Sequence, residues 1–258
     1  MSSFRKQCYR DGKRVIPVIY NVGNFTKPTA DTPGLLSMDE VGTMFHEFGH
    51  ALHGMLSDCR YRSLSGTSVA RDFVELPSQI MENWCYEPEA LSIFARHYQS
   101  GEVIPGDLVE RIRASSNFLE GMATVRQLSF GMPDMAWHGG NPENITDVKA
   151  LEKKAFGPTR LFPDHPETCM STSFSHIFQG GYSAGYYSYK WAEVLDADAF
   201  AYFKEKGIFN GEVARKFREH ILSRGGTEDP MELYVRFRGR EPRLEPLLER
   251  AGLLEKSS

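Results

Sequence analysis

His46 and His50 enclose Glu47-Phe48-Gly49, and this five-residue stretch constrains the chain more than any other. The pattern H-E-x-x-H has chemical meaning on a helix, where positions i and i+4 stand one above the other on the same face. There the two imidazoles converge on one point, at a spacing that suits a Zn²⁺ ion. Glu47, beside the first histidine, reaches a water held by such an ion. Zinc lowers the pKa of its water from about 15.7 to roughly 7, and a carboxylate then takes the proton. His46 and His50 are therefore candidate metal ligands and Glu47 a candidate general base, the machinery for cleaving an amide.

The flanking residues supply the helix. Ser37-Met38-Asp39-Glu40 fits a capping box, with Ser37 as N-cap and Glu40 at N3. Beyond it Val41, Met44, Phe45, Phe48, Leu52 and Met55 recur at three- and four-residue steps and give the helix an apolar face. His53 continues the row three residues past His50. The longer metzincin pattern needs glycine at 53 and histidine at 56, where this chain has His53 and Leu56. His53 is accordingly assigned to packing or to support of the ligands.

A metal centre of this kind needs a core around it, and 258 residues can bury one. Hydrophobic residues make up 41% and charged residues 25%, the balance of an ordinary soluble protein. A net charge of −4 argues against nucleic acid or an anionic membrane as partner. No apolar run approaches the roughly 20 residues of a membrane span, and Met1 to Lys6 lacks the apolar stretch of a signal peptide. Cys8, Cys59, Cys85 and Cys169 are scattered, with no C-x-x-C pair. They suit free thiols in a cytoplasmic protein better than a disulfide frame or a cysteine zinc site.

Residues 4–9 and 14–22 are predicted strands around Asp11-Gly12, a strong hairpin signal. Pro17 cannot donate to a ladder and places the second strand at an edge or its proline beside a bulge. Such an edge can pair with an extended peptide or belong to a small sheet packed on the domain. Thr26 to Gly34 and Arg60 to Arg71 are loops. A second helix is expected over 72–84, with Pro77 in its first turn. Helices follow over 107–130, from Thr146 as cap to Lys154, over 186–204, from Asn210 to Arg224, from Asp229-Pro230 to Phe237, and over 242–254. The class is mainly α with a small β-hairpin or sheet near the N-terminus.

Two histidines leave a catalytic zinc site one protein ligand short. Asp72, Glu75 and Glu82 are the candidates on the following helix. Glu75 and Glu82 are seven apart and share a face, and spacing alone does not choose among the three. Further on, Tyr182, Tyr186 and Tyr189 stand at i, i+4 and i+7. By itself that spacing suits an aromatic stripe in a core.

Three segments resemble the thimet oligopeptidase family of zinc metallopeptidases, which includes neurolysin, oligopeptidase A and peptidyl-dipeptidase Dcp. They are His46 to His50 followed by Asp72-Phe73-Val74-Glu75-Leu76-Pro77-Ser78-Gln79, the run Phe174 to Trp191, and Phe237-Arg238-Gly239-Arg240-Glu241-Pro242. The resemblance implies a zincin-like helical catalytic domain holding one Zn²⁺ per chain through His46, His50 and Glu75, with Glu47 as general base. It implies His176 and Tyr189 as contacts to the transition-state oxyanion, and Tyr182 and Tyr186 as contacts to substrate. It also implies hydrolysis of short oligopeptides. The second segment is close to its Dcp form, which points to release of C-terminal dipeptides, with internal cleavage as the alternative. The support of the metal-bound histidines falls to Glu82 or Asp72.

The resemblance covers the zinc-bearing C-terminal half of that family. The expected organisation is one catalytic region over 1–258, with a β-hairpin and loop over 1–34, zinc-site helices over 35–90 and a helical remainder carrying the His/Tyr loop over 91–258. The family's N-terminal domain has no counterpart here. A separate N-terminal half, or a second copy of the chain, is then the expected cover for apolar surface. A chain lacking that wall could also bind zinc without turnover and serve as a binding or assembly subunit.

Overall fold

The capping box forms as the sequence requires. In the computed structural model, which describes residues 1–254, Ser37 Oγ accepts from the Glu40 N–H at 3.2 Å. Glu40 in turn accepts from the Ser37 N–H at 2.8 Å. Helix α1 (Met38–Leu56) starts there and carries the whole histidine motif. The expected catalytic region runs to residue 258, and its last four residues lie outside the described ones.

The N-terminal β element, expected as a small β-hairpin or sheet with strands over 4–9 and 14–22, is two short antiparallel ribbons. Strands β1 (Ser2–Arg5), β2 (Cys8–Arg10), β3 (Lys13–Val15) and β4 (Val18–Tyr20) pair antiparallel, β1 with β4 and β2 with β3. Cys8 faces Val15 and Arg10 faces Lys13. Asp11 and Gly12 close the turn at φ +51° and +74°, the left-handed pair whose twist matches the strands it joins. Pro17 has no N–H for a ladder and ends β3 before β4 begins. Gln7 breaks the other arm by turning inward, where its Oε1 accepts from the Cys59 N–H at 2.7 Å. Ile19 seats the β1–β4 ribbon on α1, against Gly54.

The rest of the described chain is helical: α2 (Leu76–Glu82), α3 (Pro88–Phe94), α4 (Gly106–Ser116), α5 (Glu120–His138), α6 (Val148–Phe156), α7 (Ser175–Phe178), α8 (Ser188–Lys206), α9 (Gly211–Phe217), α10 (Pro230–Arg238) and α11 (Glu245–Arg250). The fold is mainly α, as expected. The helix expected over 107–130 is two. Ser115 and Ser116 bond back to the Ile112 and Arg113 carbonyls, and Leu119 then turns left-handed at φ +57°. Asp147, not Thr146, caps α6, because its carboxylate accepts from the Ala150 N–H at 3.0 Å and suits the positive end of a helix. After α9 the chain continues through a π turn over Arg218–Leu222. The last helix is shorter than expected, with Pro246 in its first turn and Gly252 at φ +67° past its end.

The main core gathers Leu76 and Ile80 of α2, Leu195, Phe200 and Phe203 of α8, Phe217 of α9 and Leu233, Tyr234 and Phe237 of α10. α2 is thus clamped between α1 and α8. That clamp fixes where Glu75, at the start of α2, meets the histidines of α1.

Candidate metal centre and its tyrosine loop

Gly49 explains why α1 and α2 come so close. A Cβ on Gly49 would lie 2.1 Å from the Pro77 carbonyl oxygen and 2.6 Å from the Ser78 Cα, both backbone atoms that cannot yield. The fourth letter of the motif is therefore dictated by the neighbouring helix. The close approach brings Glu75, the residue that opens α2 and is 3% exposed, between the two imidazoles.

Glu75 Oε2 lies 3.4 Å from His46 Nε2 and 3.1 Å from His50 Nε2. Ligand atoms around a tetrahedral zinc with bonds of about 2.0–2.1 Å stand roughly 3.3 Å apart. The three donors have the spacing of such a site, and among the described residues they form a cluster that could hold a metal ion.

The donors are themselves held. Glu75 Oε2 accepts from Ser78 Oγ at 2.9 Å, and Oε1 accepts from the Tyr182 hydroxyl at 2.7 Å. Glu82 Oε1 lies 2.6 Å from His46 Nδ1. A carboxylate only accepts, so Nδ1 carries a proton, which leaves Nε2 as the nitrogen that a metal would take in place of a proton. Of the two expected supports, Glu82 takes this place, while Asp72 accepts from the Tyr187 hydroxyl at 2.9 Å and touches no histidine. Among the described residues, the buried His50 Nδ1 has no hydrogen-bond partner.

Electrostatics follow from the same contacts. Burial alone drives the Glu75 pKa up, but hydrogen bonds from His46, His50 and Tyr182 outweigh it and hold the carboxyl well below its usual range. Burial likewise opposes a charged His46, yet the Glu75 and Glu82 carboxylates raise its pKa to about 9. The site demands positive charge, met by a proton on His46 or by a cation in its place. His53 is wholly buried, among the described residues neither of its ring nitrogens is bonded, and burial with the nearby His50 lowers its pKa to about 3. It is a neutral packing residue.

Glu47 is half-buried on α1, outside the donor cluster, and its carboxylate pairs with the Met1 ammonium.

Tyr182 and Tyr186 precede α8 and do not share its face with Tyr189, because the helix starts only at Ser188. The loop nonetheless brings all three rings together. Tyr182 and Tyr189 stack at 5.0 Å, and Tyr186 meets Tyr189 at 5.1 Å. Tyr182 stands directly on the carboxylate of Glu75, closer to the metal donors than a substrate contact was expected to be. Tyr186 also packs on Phe130 and Phe174. His176 is exposed on α7, its ring 6.2 Å from that of Tyr182. Burial, then hydrogen bonding with Tyr182 and the charge of Glu75, raises the Tyr189 pKa above the ordinary phenol value.

Two further groups shape the loop. The Arg71 guanidinium lies 4.6 Å over the Tyr182 ring. Asp134 of α5 accepts the backbone N–H groups of Ala184 and Tyr186. The two loop N–H groups that Asp134 accepts lie about fifty residues away, so no local pattern links Asp134 to the tyrosine loop. Ser78 was within reach of sequence reasoning, three residues past Glu75 on the same helix.

The profile of Peptidase family M3 matches residues 1–253. Oligopeptidase A of Escherichia coli (strain K12) is 47% identical over 252 residues, covering 94% of this chain and 36% of its own length. Dipeptidyl carboxypeptidase of the same organism is 45% identical over 239 residues, covering 92% of this chain and 35% of its own length. The Thimet-like oligopeptidase of Dictyostelium discoideum is 40% identical over 245 residues, covering 94% and 36%. The chain spans about a third of the length of these curated relatives. The first two identities do not separate an oligopeptidase A branch from a dipeptidyl one. A match extending over residues 1–253, with relatives this similar across more than nine-tenths of the sequence, means that the chain belongs to peptidase family M3.

Proposed function

We propose that this chain is the catalytic region of a zinc-dependent metallopeptidase that hydrolyses short oligopeptides and releases C-terminal dipeptides. The observation that carries the reading is the convergence of His46 Nε2, His50 Nε2 and Glu75 Oε2, with Glu47 next to His46 on α1. The names of the relatives, oligopeptidase A and dipeptidyl carboxypeptidase, support peptide hydrolysis and leave internal cleavage as the second reading.

His46, His50 and Glu75 would hold one Zn²⁺, which supplies Lewis acidity and a water of lowered pKa. Glu47 takes the proton of the attacking water and passes it to the leaving amine. Tyr189, a phenol, donates to the developing oxyanion, and His176 does so from α7. Tyr182 steadies Glu75 while Tyr186 lines the substrate side. All four cysteines are free, which fits a cytoplasmic setting. Among the described residues no helix is long and apolar enough to cross a membrane. Phe4, Ile16, Val22 and Phe118 are each more than two-thirds exposed. That apolar surface favours cover by a separate N-terminal half or by a second copy.

The test is mass spectrometry of the products from one peptide with a free and one with an amidated C-terminus, using wild type and Glu47→Gln. The wild type is expected to release dipeptides from the free peptide only. Glu47→Gln is expected to lose at least about 10²-fold in rate while keeping its metal. Cuts at internal bonds of both peptides would favour the second reading. Undiminished hydrolysis by Glu47→Gln would remove Glu47 from its role.

A further inference from the structure

Asp134 lies on α5, a helix that contributes nothing to the metal-donor cluster. Its side chain is wholly buried, yet both carboxylate oxygens point at the tyrosine loop. Oδ1 accepts from the Ala184 N–H and Oδ2 from the Tyr186 N–H, each at 2.8 Å. His138 Nδ1 lies 2.8 Å from Oδ1 and 2.9 Å from the Asp134 carbonyl oxygen. Both of those partners only accept, so Nδ1 carries the proton and adds a third hydrogen bond.

The loop needs such an anchor. It contains Gly180, Gly181 and Gly185, and Gly181 sits at φ +80°. Ala184 is left-handed at φ +52°, a conformation disfavoured for any residue with a Cβ. Left free, a segment of this composition samples many conformations. Two N–H groups aimed at one buried carboxylate select one of them. In it the Tyr182 hydroxyl reaches Glu75, and the Tyr182 ring stacks on Tyr189.

We propose that Asp134 is a positioning residue for peptide hydrolysis, holding the 182–187 loop so that Tyr182 meets Glu75 and stacks on Tyr189 of α8. The proposal rests on the metallopeptidase reading above. Asp134 touches neither the donors nor substrate and acts only through the tyrosines.

The experiment compares wild type, Asp134→Asn, Tyr189→Phe and the double variant on a quenched peptide, with zinc content measured for each and Glu47→Gln as control. Asparagine offers one oxygen to two N–H groups and turns its own NH₂ toward the other. The expected result is a fall of about 10²-fold in kcat with KM within about threefold and zinc retained. The double variant is expected to lose little more than the worse single variant, because both act through the Tyr182–Tyr189 contact. Additive losses, or an unchanged kcat in Asp134→Asn, would overturn the proposal. Should the variant not fold, hydrogen exchange of the wild-type chain decides. Ala184 and Tyr186 amides are expected to exchange at least about tenfold more slowly than the Ser183 amide, and equal rates would overturn the anchoring. A wild type no more active than Glu47→Gln sinks the metallopeptidase reading instead, and leaves the exchange result standing by itself.

Discussion

Glu75 has three tasks at once: it faces two imidazoles, accepts from Ser78 and accepts from Tyr182. A carboxylate has enough lone pairs for all of them. Sequence spacing brought Glu75 and Glu82 to one face of α2 but could not choose between them. The structure uses both, Glu75 at the Nε2 side of His46 and Glu82 at its Nδ1 side. The choice depends on the rotation of α2 against α1, which Gly49 and the α8 contacts set and no local pattern records. His53 carries a separate consequence. Its pKa is near 6.5 when unfolded and about 3 when folded. Between those values the unfolded chain binds the extra proton, so stability rises with pH across that window and is lost as pH falls through it. This one group sets a slope of at most about 1.4 kcal/mol per pH unit. Urea titrations of the metal-free chain from pH 6.5 to 4 are expected to show a shallower slope for His53→Leu than for wild type. Identical slopes would mean that His53 is not buried as a neutral group.

At the scale of elements, the features legible in the sequence are those whose causes are local. The Ser37 capping box, the Asp11-Gly12 turn, the Asn210 cap and the Asp229-Pro230 start all form where the residues place them. The features that were not legible depend on distant partners. Gln7 leaves the strand for the Cys59 N–H, and the N–H groups of Ala184 and Tyr186, just before α8, go to Asp134. The α1–α2 contact is the element-scale feature with the sharpest test. Gly49→Ala places a methyl against the Pro77 carbonyl and must push the two helices apart. The expected loss of stability is about 1–3 kcal/mol, and Glu75 moves away from the histidines with α2. Zinc affinity, read by chelator competition, is expected to weaken at least about tenfold, since a carboxylate ligand out of place forfeits more than 1.4 kcal/mol. A variant matching wild type in both measurements would show that the close approach does not set the site.

For the whole molecule, the candidate site is an assembly of segments far apart in sequence, joined by buried polar contacts. Asp198 of α8 binds Arg240 at 2.6 Å and Tyr234 at 2.8 Å, and Asp196 binds Asn83 at 2.8 Å and pairs with Arg250. These ties hold α8 against α2, α10 and α11, and α2 in turn carries Glu75 to α1. Fold class was legible because helical periodicity dominates the chain. Which loop closes over the donors was legible only through likeness to the family. The central claim is that α1 and α2 meet in order to share one divalent ion. It is tested most directly by zinc stoichiometry after dialysis of wild type, Glu47→Gln and Glu75→Ala, each checked for folding by circular dichroism. One zinc per chain is predicted in the first two and none in folded Glu75→Ala. A folded wild type that holds no zinc, or a Glu75→Ala variant that keeps a full equivalent, would contradict it.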